Sequence, residues 1–372
     1  MEKLILKWVT GCSGCLTFVV CVCLYFLPTI KESMIVEPEI HLLPETVVQV
    51  QIEETIDVPI EKPVKPPVVD STEGTETETP DVPEEPVEEK EQLNIELPDG
   101  LDGSNVAITN NYLTQTVLIR FDKGVDDYSQ EYRVYGSSNH ISSLVYYKDG
   151  EAGVLEVQLD QVCELSYEYR EDFLCVEFID PHDIYDKVIV VDAGHGGRAP
   201  GAVKKDVYEK NLNLAMVKEI KALFDAEENI KVYYTRLDDT NPTLAQRAEL
   251  ANKAKADLFI SIHNNASASG KFNERQGTMV LYSQSDTEEL SSKSFAEICI
   301  QNVNSTTGSK RRGLAKGDHI YIIRTSEVPV ALIEVGYMTN LEELAKLQTE
   351  EYQKLVAQGV YNAVMEAFEE GY

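Results

Sequence analysis

From Lys187 onward, short apolar runs alternate with stretches whose apolar residues recur at helical spacing, and this alternation constrains the fold more than any other feature of the chain. Val188 to Val191 has the length and composition of a buried strand. Glu209 to Phe224 reads as a helix because Leu212, Met216, Ile220 and Leu223 fall on one face. Ile230 to Thr235 is a second strand, and Thr243 with Gln246 forms a capping box that opens a helix running to about Lys255. Leu258 to Ile262 is a third strand. Further strands are predicted at Thr278 to Tyr282, Ile320 to Ile323 and Val330 to Val335, with helices from about Glu288 to Asn304 and from Glu351 to Phe368. The predicted class is α/β: a mostly parallel, twisted sheet with helices on both faces.

Upstream the composition changes three times. Trp8 to Leu27 is about twenty apolar or small residues without a charge, matching the thickness of a bilayer core. Lys3 and Lys7 precede it and the flank after it turns acidic, so the expected product is a single span with the downstream chain outside the cytoplasm. No small-x-small cleavage site follows the run, which favours a retained anchor over a signal peptide. Ten of the fifteen prolines lie between Pro38 and Pro98. Glutamates accompany them, so 32–92 reads as a disordered acidic tether. Between about Leu93 and His182 alternating runs such as Gln115 to Phe121, Ser142 to Tyr147, Gly153 to Leu159 and Phe173 to Phe178 are separated by turn residues. The expected organisation is therefore 1–31 cytoplasmic stub and anchor, 32–92 tether, 93–183 a β-rich wall- or partner-binding domain, and 184–372 a catalytic domain. The formal net charge of -31 excludes nucleic acid as a partner, since phosphate binding needs a basic face. Cys163 and Cys175 are placed where a hairpin disulfide is conceivable, although a disulfide framework normally shows more pairs.

Reactive groups in open α/β sheets gather beyond the C-terminal ends of the strands. His195 follows the first strand in Asp192-Ala193-Gly194-His195-Gly196-Gly197, His263 ends the third, and Glu334 sits near the end of the last. Glu209 opens the first helix and projects toward the same edge. Two imidazoles and a carboxylate make a three-ligand zinc set with a fourth position open. Each has a plainer explanation: a lone histidine after a strand is more often hydrogen-bonded than ligating, and Glu209 could simply complement the helix dipole. Glu334 resists that treatment, because a carboxylate inside an apolar run is costly to bury without a partner or a task. A nucleotide site is disfavoured, since the glycine turn lacks G-x-G-x-x-G spacing and Pro200 and Gly201 stand where a phosphate-binding helix would start.

Taken together, the ordered motifs resemble the zinc-dependent N-acetylmuramoyl-L-alanine amidases whose catalytic domain is a single α/β sheet. They are DAGHGG, the Glu209-Lys210-Asn211-Leu212 helix start, Thr235-Arg236, Leu244 with Arg247, Ser261-Ile262-His263-Asn264, and Ile333-Glu334-Val335-Gly336. The resemblance implies that His195, Glu209 and His263 hold Zn2+ and that Glu334 is the catalytic carboxylate acting on peptidoglycan. Arg247 and Arg324 are candidates to hold stem-peptide carboxylates, with a strut between helix and sheet the plainer role for Arg247. Ala193 stands where the family often has proline, and the stretch between Leu281 and Gly313 leaves no room for a long inhibitory helix. A non-catalytic peptidoglycan-binding protein and a zinc carboxypeptidase acting on the stem peptide stay open as alternatives.

Overall fold

The computed structural model describes residues 48–49, 92–285 and 290–372. The apolar run from Trp8 to Leu27, its four cysteines and nearly all of the acidic tether lie outside the described residues. Among the described residues no helix is long and apolar enough to cross a membrane.

Among the described residues the β-rich part has nine strands, the clearest of which, Gln92–Glu96 and Thr116–Phe121, alternate buried with more accessible residues. They are β1 (Val48–Gln49), β2 (Gln92–Glu96), β3 (Val106–Asn111), β4 (Thr116–Phe121), β5 (Val134–Gly136), β6 (Ile141–Asp149), β7 (Ala152–Leu159), β8 (Glu164–Arg170) and β9 (Phe173–Ile179). Two antiparallel sheets form, in the orders β1-β6-β7-β4-β3 and β5-β2-β9-β8. Their inner faces share one core, from Leu93 and Ile95 through Val117, Ile119, Leu155 and Val157 to Leu174 and Val176. Tyr128 stacks on Tyr146 at 4.8 Å within it. Val48–Gln49, inside the segment read as a disordered tether, pairs antiparallel with β6, a placement consistent with the valine–glutamine alternation there. Cys163 and Cys175 are free thiols. The ladder pairs Glu164 with Ile179 and Glu168 with Cys175, so Cys163 lies about five positions, roughly 17 Å, out of register with Cys175.

The remaining elements are β10 (Lys187–Ala193), a hairpin β11 (Val203–Lys204) and β12 (Val207–Tyr208), α1 (Glu209–Phe224), β13 (Ile230–Tyr234), α2 (Leu244–Lys253), β14 (Leu258–Asn265), β15 (Thr278–Tyr282), α3 (Ser292–Thr307), β16 (Arg311–Lys316), β17 (Val330–Tyr337), α4 (Leu341–Leu347) and α5 (Glu350–Glu369). The six-stranded sheet runs β13-β10-β14-β17-β15-β16. Its first four strands are parallel, whereas β15 is antiparallel to β17 and β16 is parallel to β15, so four of the five pairings are parallel as expected and one antiparallel pairing makes the sheet mixed. The cause lies between β14 and β15. That connection contains no helix, so the chain stays at the same end of the sheet and its next strand must run back. Helices cover both faces. α1, α3 and α5 pack through Met216, Phe295 and Val360 on Ile189, Ile260 and Ile333, while α2 packs through Leu250 and Ala251 on the face carrying Val190, Phe259 and Leu332. Ile320 to Ile323, expected as a strand, instead leads into a single helical turn, Tyr321–Arg324; Ile322 and Ile323 are buried against the sheet by it.

The β-rich part meets the sheet at its edge strand β13. Glu164 of β8 accepts the Tyr233 hydroxyl at 2.6 Å and the Tyr112 hydroxyl at 3.2 Å, and pairs with Lys231 at 2.7 Å. Val162 N–H donates to the Lys253 carbonyl at the end of α2.

Candidate metal and catalytic site

Three segments deliver the site to one edge of the sheet. β10 ends at Ala193, and the chain then turns through Gly194 and His195, the latter at φ 62, a left-handed conformation that a β-carbon disfavours. Gly194 is required by contact: a Cβ there would lie 2.1 Å from Nε2 of His263. Glu209, the first residue of α1, has its Oε2 fixed by the Ala202 N–H at 2.8 Å, which leaves Oε1 facing inward. His263 is on β14, in register with Glu334 on the neighbouring β17.

The ligand atoms of His195, Glu209 and His263 all lie within 4.8 Å of one another. Glu209 Oε1 is 3.2 Å from His195 Nε2 and 3.0 Å from His263 Nδ1, and also accepts the Asn264 N–H at 3.1 Å. The imidazoles cross edge to face with centroids 4.8 Å apart. Burial disfavours a charged Glu209, but the bonds from both histidines outweigh it and hold its carboxyl far below the ordinary range. His263 is pushed up in turn, because Glu209 overcomes the effect of burial on the imidazole. Glu334 goes the other way: burial is the main cause that raises it to about 7, with His263 pulling down and Glu209 pushing up. Its Oε2 is buried without a hydrogen-bond partner. A buried acceptor left unspent beside two imidazoles and a carboxylate is what a bound divalent ion and its water would satisfy, so the donor set fits zinc.

Behind the ligands a buried network holds the loop in shape. Asp192, fully buried, accepts the hydroxyls of Thr235 and Ser261 at 2.6 Å each and pairs with Arg247. Arg247 also donates to the carbonyls of Ala193, His195 and Pro242, so each guanidinium nitrogen has a protein acceptor, the arrangement of a strut. Arg236 donates to the Ala193, Gly194 and Lys210 carbonyls, and Asn213 reaches the Gly194 carbonyl at 3.0 Å. Sequence reasoning assigned no role to Asp192, Arg236 or Asn213. Asp192 carried a usable signal, a carboxylate directly after an apolar run, the same signal that marked Glu334. Arg324 is exposed at the end of its helical turn, 5.7 Å from the Tyr321 ring, and donates to the Asp318 carbonyl.

His195, His263 and Glu334 open into a cleft of about 490 Å³ whose other walls include Asn241, Leu244, Ile320, Ile322 and Leu332. The fold and site together define an α/β domain with a candidate metal-binding group of two imidazoles and a carboxylate at its sheet edge. Residues 189–366 match the family model described as N-acetylmuramoyl-L-alanine amidase. The germination-specific N-acetylmuramoyl-L-alanine amidase of Bacillus subtilis (strain 168) is 31% identical over 198 residues, covering 50% of this chain and 81% of that one. The uncharacterized protein YqiI of the same organism is 35% identical over 193 residues, covering 51% and 88%. Among solved structures, the catalytic domain of the amidase CwlV from Bacillus (Paenibacillus) polymyxa var. colistinus is 37% identical, covering 49% of this chain and 98% of that one, with a TM-score of 0.46. This chain belongs to the N-acetylmuramoyl-L-alanine amidase family. It spans 52% and 35% of the length of two longer relatives.

Proposed function

We propose that the chain is a zinc-dependent N-acetylmuramoyl-L-alanine amidase, which hydrolyses the amide joining N-acetylmuramic acid to the first L-alanine of the peptidoglycan stem. The observation that carries this reading is the convergence of His195, Glu209 and His263 within 4.8 Å, beside the unpartnered Glu334 Oε2. Zinc held by the three supplies Lewis acidity to the scissile carbonyl and acidifies water toward a pKa of about 7. The remaining work falls to the protein. Glu334, with a carboxyl raised to about 7, is poised to take a proton at Oε2 and return it to the departing alanine amine. The Asp192–Arg247–Arg236 network keeps the His195 loop in one conformation, so the ligands need not reorganise on binding. Leu332, Ile320 and Ile322 line the cleft and limit water around the reacting amide.

The same proposal places the enzyme at the cell membrane. One uncharged span, Trp8 to Leu27, would hold the catalytic part outside the cytoplasm on an acidic tether, with the β-rich part binding wall or partner. Mass analysis of fragments released from purified peptidoglycan tests the chemistry. Intact stem peptides beginning with a free L-alanine amine are expected, and a chelator should abolish their release until zinc is returned. Free D-alanine as the product would replace this reading with a carboxypeptidase, and stoichiometric zinc without any release would leave a binding protein.

A further inference from the structure

A second cleft, of about 500 Å³, is lined by Ser267, Ser269, Asn273, Glu274, Arg275 and Arg312. It shares the sheet edge with the metal ligands. Ser267 lies four residues beyond His263, at most about 14 Å of chain. Its loop is stitched to the strand that carries Glu334: Ser267 N–H donates to Thr339 Oγ1, Asn273 N–H to the Thr339 carbonyl, and Met338 N–H to the Asn265 carbonyl. The Arg312 guanidinium lies 5.4 Å from the Tyr337 ring, and its Nη1 donates to the Gln276 carbonyl at 3.4 Å. Its other nitrogens make no hydrogen bond among the described residues. Arg275 has no ion pair or guanidinium hydrogen bond among them.

Arg120, Arg133, Arg170 and Arg311 each pair with a carboxylate, whereas Arg275 and Arg312, like Arg198 and Arg324, pair with none among the described residues, and Glu274 is the one acid among the residues lining this cleft. Two arginines lining one cleft with serine and asparagine side chains suit a planar, doubly accepting anion such as a carboxylate. On the amidase reading, on which this inference rests, the two halves of the substrate differ in that respect. The glycan side is uncharged beside the scissile bond, whereas the stem peptide carries free carboxylates beyond its first alanine. We propose that Arg275 and Arg312 form the subsite that binds the free carboxylate of the second stem residue, so that the leaving peptide lies over this cleft and the muramoyl side over the apolar one.

The test compares two muramoyl tripeptides that differ only at the second residue, one with a free carboxylate and one with the corresponding amide. In the double variant Arg275→Gln/Arg312→Gln, KM for the carboxylate substrate should rise about ten- to a hundredfold, with kcat within about twofold and little change for the amide. Calorimetry with the free tripeptide L-alanyl-D-isoglutamyl-L-lysine should show a matching loss of affinity. An equal rise for both substrates, or no rise, overturns the subsite. So does a variant that keeps its KM but loses binding to poly(glycerol phosphate), since the arginines would then serve an anionic polymer. If the wild type cleaves neither substrate yet binds the free peptide through these arginines, the amidase reading falls and the carboxylate subsite stands.

Discussion

Single side chains in this site are specified by what surrounds them as much as by what they are. Glu334 is an ordinary carboxylate until β17 buries it next to His263, whereupon desolvation lifts it to about 7. Glu334→Gln should therefore retain one zinc per chain by elemental analysis while losing at least about a hundredfold in turnover, the usual scale for a removed general acid–base group. Near-normal turnover would take Glu334 out of the mechanism. Gly194 is a sharper case, because its role is space alone. A methyl group there would sit 2.1 Å from His263 Nε2, so Gly194→Ala should weaken zinc binding about tenfold or more in a competitive chelator titration while the far-ultraviolet circular dichroism stays native. Both histidine ligands were legible as candidates because they follow apolar strands. Gly194 was legible only as part of a flexible turn, since no sequence pattern says which side chain will press against it.

At the level of elements, the end of β10 and the start of α2 are bolted together by one buried ion pair. Burial opposes the Asp192 carboxylate, yet Arg247 and the hydroxyls of Ser261 and Thr235 prevail and keep it below the ordinary range. A carboxyl depressed in the folded state contributes stability that is present above its unfolded value, about 3.9, and is lost as pH falls through the folded value. Urea midpoints measured from neutral pH downward should thus fall with acid in the wild type, and less steeply in Asp192→Asn. At neutral pH that variant, leaving Arg247 buried without its charge partner, should be less stable by about 3–5 kcal/mol. A parallel acid limb in the two proteins would show that the pair does not couple to folding. Elements with strong period, such as α1 and β15, were read from the sequence with their true ends. β8 and β16 were not: β8 alternates Leu165, Tyr167 and Tyr169 with polar residues but is mostly exposed, and β16 is a short run that opens on two exposed arginines. Ile320 to Ile323 failed for the opposite reason: a short apolar run looks alike in a strand and in a buried helical turn.

Across the described residues, the β-rich part is tied to the α/β sheet by apolar packing of Val162, Tyr112 and Leu113 and by a polar cluster centred on Glu164. Its carboxylate serves Tyr112, Tyr233 and Lys231 together, and the Lys231 ammonium also faces the rings of Tyr112, Tyr185 and Tyr233. Glu164→Ala strips that ammonium and two hydroxyls of their acceptor, at a cost of about 1–3 kcal/mol. Calorimetric scans should then resolve two unfolding transitions where the parent shows one, and a single unshifted transition would mean that other contacts hold the parts together. By itself, the amino-acid order determined the α/β class and the family's motifs, and it singled out His195, His263 and Glu334 as candidates because each follows or interrupts an apolar run whose burial local patterning predicts, with Glu209 added at a helix start. Strand direction, the Asp192–Arg247–Arg236 scaffold, the docking through Glu164 and the placing of Arg275 and Arg312 on one cleft were decided by tertiary structure. Those features depend on which distant segments become neighbours, and proximity in space leaves no periodic trace along a chain.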